Sequence, residues 1–207
     1  MANYFSSNFT LGILGGGQLG KMMLYETRKF DITTHVLDPS LEAPCHIACD
    51  AFTQGDLMDY DTVYTFGKKV DILTFEIEGV NIEALEALEK EGKKVYPSAK
   101  TLRNIQNKGV QKNFYTTHKI PTAPFSVFET ITQVKKAVTS GELKLPFVWK
   151  SSTGGYDGKG VQVIKNIQTL DLLPDCPCIA EELVAFKNEL AVIVVRNPSA
   201  QVKTYPV

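Results

Sequence analysis

"VWKSSTGGYDGKGVQVI", residues 148–164, decides how this chain is read. Two β-rich runs flank a loop in which Gly154, Gly155, Gly158 and Gly160 fall within seven residues. Glycine reaches backbone conformations with positive φ and lets amides approach an anion closely. Lys150 ends the first run, where its ammonium is a point charge able to reach phosphate oxygens. The competing reading is a plain hairpin, since Asp157-Gly158 is a strong turn signal. A two-residue turn needs one glycine, however, and gives no reason for Tyr156, Asp157 and Lys159 between the others. The stretch therefore reads as a mobile loop that covers phosphate.

The flanking sequence predicts antiparallel structure. "CIAEELV" (178–184), "ELAVIVVR" (189–196) and "VKTYPV" (202–207) are strand-like, the last two joined by the turn "NPSA". Upstream, "TITQVKKAVTS" (130–140) predicts a helix capped by Thr130 and ended by Gly141. "KIPTAPFSVF" (119–128), with two prolines, reads as an extended connector and hinge, and "SAKTLRNIQNKGVQKNFYTTH" (98–118) as one helix capped by Ser98. The first hundred residues follow a different grammar. Strands at "LGIL" (11–14), "TTHVLD" (33–38), "VDILTFEIE" (70–78) and "KKVYPS" (93–98) alternate with helices. The first helix is read with Leu19, Met22, Met23 and Phe30 on one side. The second lies in "MDYDTVYTFGKK" (58–69), capped by Asp59 or Asp61, and the third runs from the cap Asn81 to Gly92. This βαβαβαβ order implies a parallel sheet with helices on both faces.

Within that first unit, "LGILGGGQLGKM" (11–22) places Gly15, Gly17 and Gly20 as G-x-G-x-x-G, and Asp38 follows 18 residues after Gly20. That is the spacing of a dinucleotide fingerprint, with the acid set for a ribose hydroxyl. A nicotinamide-binding protein is therefore one reading of this half.

Bulk properties exclude other classes. The 207 residues are 43% hydrophobic and 22% charged, with a net charge of −1, so no basic field argues for nucleic acid. Nothing approaches the ~18 apolar residues of a membrane span, and "MANYFSSNFT" lacks the basic and apolar regions of a signal peptide. Cys45/Cys49 and Cys176/Cys178 match zinc-ligand spacings poorly and read as free thiols of a reducing cytoplasm, with His46 beside them given no ligand role.

Six segments in this order, "GGGQLGKM", "TFEIEGVNIEAL", "VYPS", "IQNKGVQKNF", "IPTAPF" and the glycine-rich loop, resemble the N5-carboxyaminoimidazole ribonucleotide synthase family, ATP-grasp ligases of purine biosynthesis. The resemblance runs from about residue 11 to the end of the chain. It implies an α/β fold: a Rossmann-like parallel-sheet domain over 1–98, a helical linker and hinge over 99–125, an α+β ATP-grasp lid over 126–186, and over 187–207 the first strands of a truncated ATP-grasp core. It also implies that the first glycine loop serves substrate rather than a nicotinamide.

The resemblance assigns roles residue by residue. Lys108 and Lys150 stand near nucleotide phosphates, beneath a loop formed by Gly154, Gly155, Gly158 and Gly160. From the residues alone, Lys108 reads as a lysine on a solvated helix face. Glu181, Glu182, Leu183 and Val184 resemble the segment that meets adenine through backbone groups, with Glu181 taking the amino group and Glu189 the ribose hydroxyls. Without the resemblance, Glu181 and Glu189 read as two exposed edge-strand acids. Gly17, Gln18 and Leu19 would meet the ribotide at a helix N-terminus. Glu76 and Glu78, two apart and on one face if the strand continues, lie at the carboxyl end of a parallel strand, with Glu76 preferred for the substrate ribose or amine. Gly79 departs from the Asn usual in the family. Tyr156 and Asp157 would face the aminoimidazole ring, and Lys159, where many members carry Arg, would stabilise carboxyphosphate.

The implied reaction is ATP- and bicarbonate-dependent carboxylation of the exocyclic amine of 5-aminoimidazole ribonucleotide through carboxyphosphate, in the cytoplasm, with ATP and Mg²⁺ as cofactors and no nucleic acid or membrane partner. A homodimer is left open. No residue of this chain is assigned to the metal, whose carboxylates are expected beyond Val207, so the chain as written is expected to turn over nothing. The competing functions are another ATP-grasp ligase, such as a formate-dependent ribotide transferase or a biotin carboxylase, a nicotinamide-binding Rossmann protein, and a non-enzymatic nucleotide- or ribotide-binding fragment.

Overall fold

Strand β1 (Thr10–Leu14) is the centre of a five-stranded sheet in a computed structural model that describes residues 6–155 and 160–206. The order is β3-β2-β1-β4-β5, every pair parallel, with β2 at Thr33–Asp38, β3 at Ala51–Gln54, β4 at Ile72–Phe75 and β5 at Lys94–Val95. Successive side chains of a strand leave on opposite faces, so two apolar layers are required. Leu14, Leu37 and Leu73 pack on one face with Val63 and Phe66 of α2 (Tyr60–Lys68), Leu85 and Leu88 of α3 (Ile82–Lys90) and Leu102 of α4 (Ala99–Gln106). Ile13 and Val36 pack on the other with Leu24 of α1 (Gln18–Thr27) and Cys45. Each full burial of such a side chain is worth roughly 1.5–3 kcal/mol.

The expected caps form: Asp59, Asn81, Ser98 and Thr130 each accept a backbone N–H of the first turn. Other expectations need correction. β3 is an edge strand that the four-strand reading omits; its "AFTQ" is short and only partly buried. The expected third strand stops at Phe75, before Glu76. The expected single helix over 98–118 breaks at Asn107 (φ −115°, ψ 114°), whose side chain caps α5 (Lys108–Thr117) by accepting from Val110 N. On α1, Leu19 and Met22 are exposed at 64% and 61%, and the helix buries Gly20, Leu24 and Thr27 instead. The close approach is made by Gly20, where a Cβ would sit 3.0 Å from Cys45 Sγ and 3.1 Å from Gly15 O.

The second sheet, β6-β9-β7-β8, is antiparallel throughout, with β6 at Phe125–Phe128, β7 at Phe147–Ser151, β8 at Val161–Ile164 and β9 at Cys178–Glu182. One face is apolar: Phe147, Trp149, Ile164, Cys178 and Ala180 pack with Ile131 and Val134 of α6 (Ile131–Thr139). Alternation sends Lys150 and Glu181 to the other face, where α5 lies against β9. A separate hairpin of β10 (Val194–Arg196) and β11 (Val202–Thr204) leaves Leu190, Ile193, Val194 and Val202 exposed.

Candidate functional site

The first glycine turn joins β1 to α1. Gly15 takes φ +96°, a conformation that side chains disfavour. Asp38 closes the turn: its Oδ2 accepts from Gly16 N at 2.7 Å and its Oδ1 from Ser40 N at 2.8 Å. The acid of the apparent dinucleotide fingerprint thus holds two backbone amides of its own chain. Glu76, just past β4, has its backbone N–H donated to Leu14 O at 2.8 Å. Its carboxylate lies over the turn, because a Cβ on Gly15 would be 2.7 Å from Glu76 Oε2 and one on Gly17 2.6 Å from Oε1. Gly17 caps α1 without a side-chain acceptor, and Gln18 and Leu19 are exposed beside it. The condition for Glu76 and Glu78 to share a face, a continuing strand, is not met: β4 has ended, Glu78 is exposed, and its carbonyl accepts from Gln106 Nε2. Gly79 is exposed, with open space at its Cβ position.

The second cluster lies on the polar face of the antiparallel sheet. Glu181 is 6% exposed and sits on β9, an interior strand, which corrects the reading of it as an exposed edge acid. Lys150 of β7 donates to its Oε2 at 2.6 Å. Lys112 of α5 places Nζ 2.8 Å from Oε1, an ion pair by distance whose alignment falls short of a hydrogen bond. Lys112 also donates to Thr122 Oγ1 at 2.5 Å and lies 5.7 Å from the Phe125 ring centre. Burial pushes the Glu181 carboxyl up, but the two ammonium groups outweigh it and hold it below the usual glutamate range.

The ends of the glycine-rich loop follow β7 and precede β8. Ser151 N donates to Gly160 O at 2.9 Å, which ties the loop's two ends together. Gly154 (φ +75°) and Gly160 (φ +73°) both need glycine, and a Cβ on Gly160 would fall 2.5 Å from Ser151 Oγ. Lys108, half-buried at the first turn of α5, donates its backbone N–H to Ser152 O at 2.8 Å. So Lys108, Lys150, Glu181 and the roots of the loop, Gly154, Gly155 and Gly160, are brought together. Tyr156, Asp157, Gly158 and Lys159 lie outside the described residues. Glu182, the last residue of β9, is exposed and its N–H donates to Pro124 O at 2.9 Å, and Leu183, Val184 and Glu189 are exposed in the segment that follows.

Lys112 escapes a motif-by-motif reading. The available signal is its spacing: in "KGVQK" it stands four residues after Lys108, on the same helix face. Among the described residues no group of three or more His, Cys, Asp or Glu is placed to hold a metal ion. The four cysteines are free, and burial pushes the Cys45 and Cys178 thiols up to about 11, which keeps them unreactive. No helix among the described residues is long and apolar enough to cross a membrane.

Comparison with known proteins finds two family models, one along each half of the chain. Residues 9–106 match the ribonucleotide synthetase preATP-grasp domain and residues 113–207 the ATP-grasp domain. N5-carboxyaminoimidazole ribonucleotide synthase of Bacillus subtilis is 36% identical over 95% of this chain and 52% of its own length. The carboxyaminoimidazole ribonucleotide synthase of Aspergillus clavatus complexed with ATP superposes with a TM-score of 0.89 at 34% identity, over 99% of this chain and 54% of that one. The synthase from the same organism in complex with ADP and 5-aminoimidazole ribonucleotide gives 0.85 at 33% identity, over 99% and 53%. The chain thus spans about half the length of these relatives.

Proposed function

From its similarity to the N5-carboxyaminoimidazole ribonucleotide synthases along nearly its whole length, we propose that this chain belongs with them and binds ATP and 5-aminoimidazole ribonucleotide for the ATP- and bicarbonate-dependent carboxylation of the ribotide's exocyclic amine. The observation that carries the nucleotide half is the pair of lysines converging on buried Glu181, with Lys150 one residue before the end of β7. Two cations against one carboxylate leave an excess positive charge in a largely enclosed place, which suits polyphosphate. Lys108 and Lys150 neutralise phosphate oxygens, and the loop from Gly154 through Gly158 to Gly160 covers them. The backbone of Glu181, Glu182, Leu183 and Val184 takes adenine, Glu181 its amino group, and Glu189 the ribose hydroxyls.

The parallel-sheet unit, Rossmann-like in the order of its strands, takes the ribotide. Gly17, Gln18 and Leu19 meet it at the N-terminus of α1, and Glu76, already aimed over the turn, accepts from its ribose or amine. Glu78, exposed two residues further on, is the reserve for that contact. Tyr156 and Asp157 face the imidazole and Lys159 the carboxyphosphate. Bicarbonate oxygen attacks the γ-phosphorus, ADP leaves, and carboxyphosphate transfers its carboxyl to the amine as phosphate departs. The residues' part is to orient the three reactants and exclude water from a short-lived intermediate. Mg²⁺ bound with ATP would offset phosphate charge; the described residues supply no acidic cluster for it, and no step is assigned to it. Domains at 1–98, 99–125, 126–186 and 187–207 divide these tasks.

The engagement of Asp38 by Gly16 and Ser40 weighs against a nicotinamide in the first turn. Calorimetric titration of the chain with ATP–Mg²⁺ and with NAD tests the reading. ATP binding with none for NAD is expected; NAD binding above that of ATP refutes it.

A further inference from the structure

Three charged side chains from three elements meet on the polar face of the second sheet: Lys112 from α5, Lys150 from β7 and Glu181 from β9. Their side chains are 10%, 27% and 7% exposed respectively. The arrangement is asymmetric. Lys112 is fixed from several sides, by Glu181, by Thr122 Oγ1 and by the Phe125 ring. Lys150 is the more open of the two, one residue before the strand ends at the root of the glycine loop.

We propose that Lys112 is a positioning residue that keeps Glu181 charged and paired, so that Lys150 can leave Glu181 for the nucleotide. This deepens the proposed ATP site and rests on it. A buried carboxylate with a single cationic partner resists losing it, because the unpaired charge left behind is strongly unfavourable. If Lys150 were the only partner, a nucleotide would have to compete with Glu181 for its ammonium. With Lys112 in place, Lys150 can turn to a phosphate or a ring nitrogen while Glu181 stays paired. The contact at Oε1 fits this role, since Lys112 Nζ already stands 2.8 Å from the oxygen that Lys150 does not engage, so the carboxylate keeps a cation when Lys150 departs. Lys112 also shares its helix with Lys108, whose backbone N–H holds Ser152. One helix thereby sets a phosphate-facing lysine and the counter-ion that frees another.

The test is ATP–Mg²⁺ calorimetry on the 207-residue chain, with thermal melts alongside. Lys112→Met should weaken ATP binding by at least about tenfold, because Lys150 is then held by Glu181. Adding Glu181→Gln to Lys112→Met should recover part of that loss, since the amide no longer retains Lys150 while its oxygen can still accept from the adenine amino group. Lys112→Arg, which keeps the charge, should bind nearly as the unmodified chain does. A purely structural role for Lys112 predicts that the double variant is no better than Lys112→Met, and that result overturns the proposal, as does unchanged affinity in Lys112→Met. Should Lys112→Met fail to fold, Lys112→Gln, which keeps a polar group toward Thr122 Oγ1 but no charge, takes its place with the same two outcomes. ATP binding that is absent from the unmodified chain, or unaffected by Lys150→Met, overturns the nucleotide site itself and this assignment with it.

Discussion

Alanine at Gly15 and at Gly17 should separate a structural turn from a substrate-facing carboxylate. Both additions push a Cβ into Glu76, at 2.7 Å from Oε2 and 2.6 Å from Oε1 respectively. Only Gly15 has a positive φ, +96°; Gly17 sits at φ −72° and ψ −163°, ordinary extended backbone. Holding alanine at positive φ costs roughly 1–3 kcal/mol. Gly15→Ala also meets Ile77 Cγ2 at 3.1 Å. With about 2 kcal/mol lost, the melting temperature should fall by roughly 4–8 °C for a chain of this size. At Gly17 the only close group is the free end of a flexible side chain, and alanine gains about 0.4–1 kcal/mol by restricting the unfolded chain. Gly17→Ala should therefore melt within about 2 °C of the unmodified protein. Its cost should appear in binding: the displaced Glu76 carboxylate can no longer meet the ribotide, so calorimetric affinity for 5-aminoimidazole ribonucleotide should fall. Equal destabilisation by the two alanines would refute the reasoning, because it would show the Glu76 carboxylate locked into the turn as a structural group.

Two further outcomes follow from the same geometry. Asp38→Ala strips the acceptor from Gly16 N and Ser40 N; about 2 kcal/mol should be lost, read in urea denaturation, and a neutral result would show that water replaces the carboxylate at both amides. Glu181 has its carboxyl lowered in the folded protein, so it contributes stability that is present above the ordinary glutamate value of about 4.3 and is lost as pH falls through the lower folded value. Melting temperature followed from pH 6 down to pH 3 should drop more steeply for the unmodified chain than for Glu181→Gln, and parallel curves would remove Glu181 as a contributor.

What could be read from the residues was what local chemistry decides. The caps Asp59, Asn81, Ser98 and Thr130 each accept from an N–H three residues ahead, so residue type and position suffice. Gly92 and Gly141 end their segments in positive φ for an equally local reason. The failures share a different cause, a partner distant in sequence. Asn107 divides a run that is otherwise acceptable as one helix, and the backbone there is directed outward to Ser152 through Lys108 N. The buried side of α1 is chosen by Cys45 and the Gly15 carbonyl pressing on Gly20, so the more apolar Leu19 and Met22 are left outside. Strand β3 is held by one neighbour only, β2, and its "AFTQ" has neither the apolar run nor the alternation that marks a strand from within.

The candidate site divides along the same line. Lys150 and the glycines were legible because they are crowded into one loop, and Glu181 because a resemblance pointed to its segment. What joins them is register: β7 and β9 pair Val148 with Glu181 and Lys150 with Ile179, which places Lys150 and Glu181 diagonally across one face. No pattern within either strand contains that register. Lys112 adds a third requirement, since its helix must dock on β9 before its ammonium has a carboxylate to meet. A lysine four positions after another on an exposed-looking helix is ordinarily solvated, and only the burial of its partner gives it a different meaning. The chemistry of this face therefore depends on three elements arriving together, and a substitution that shifts α5 along β9 should disturb Lys108, Lys112 and, through Glu181, Lys150 at once.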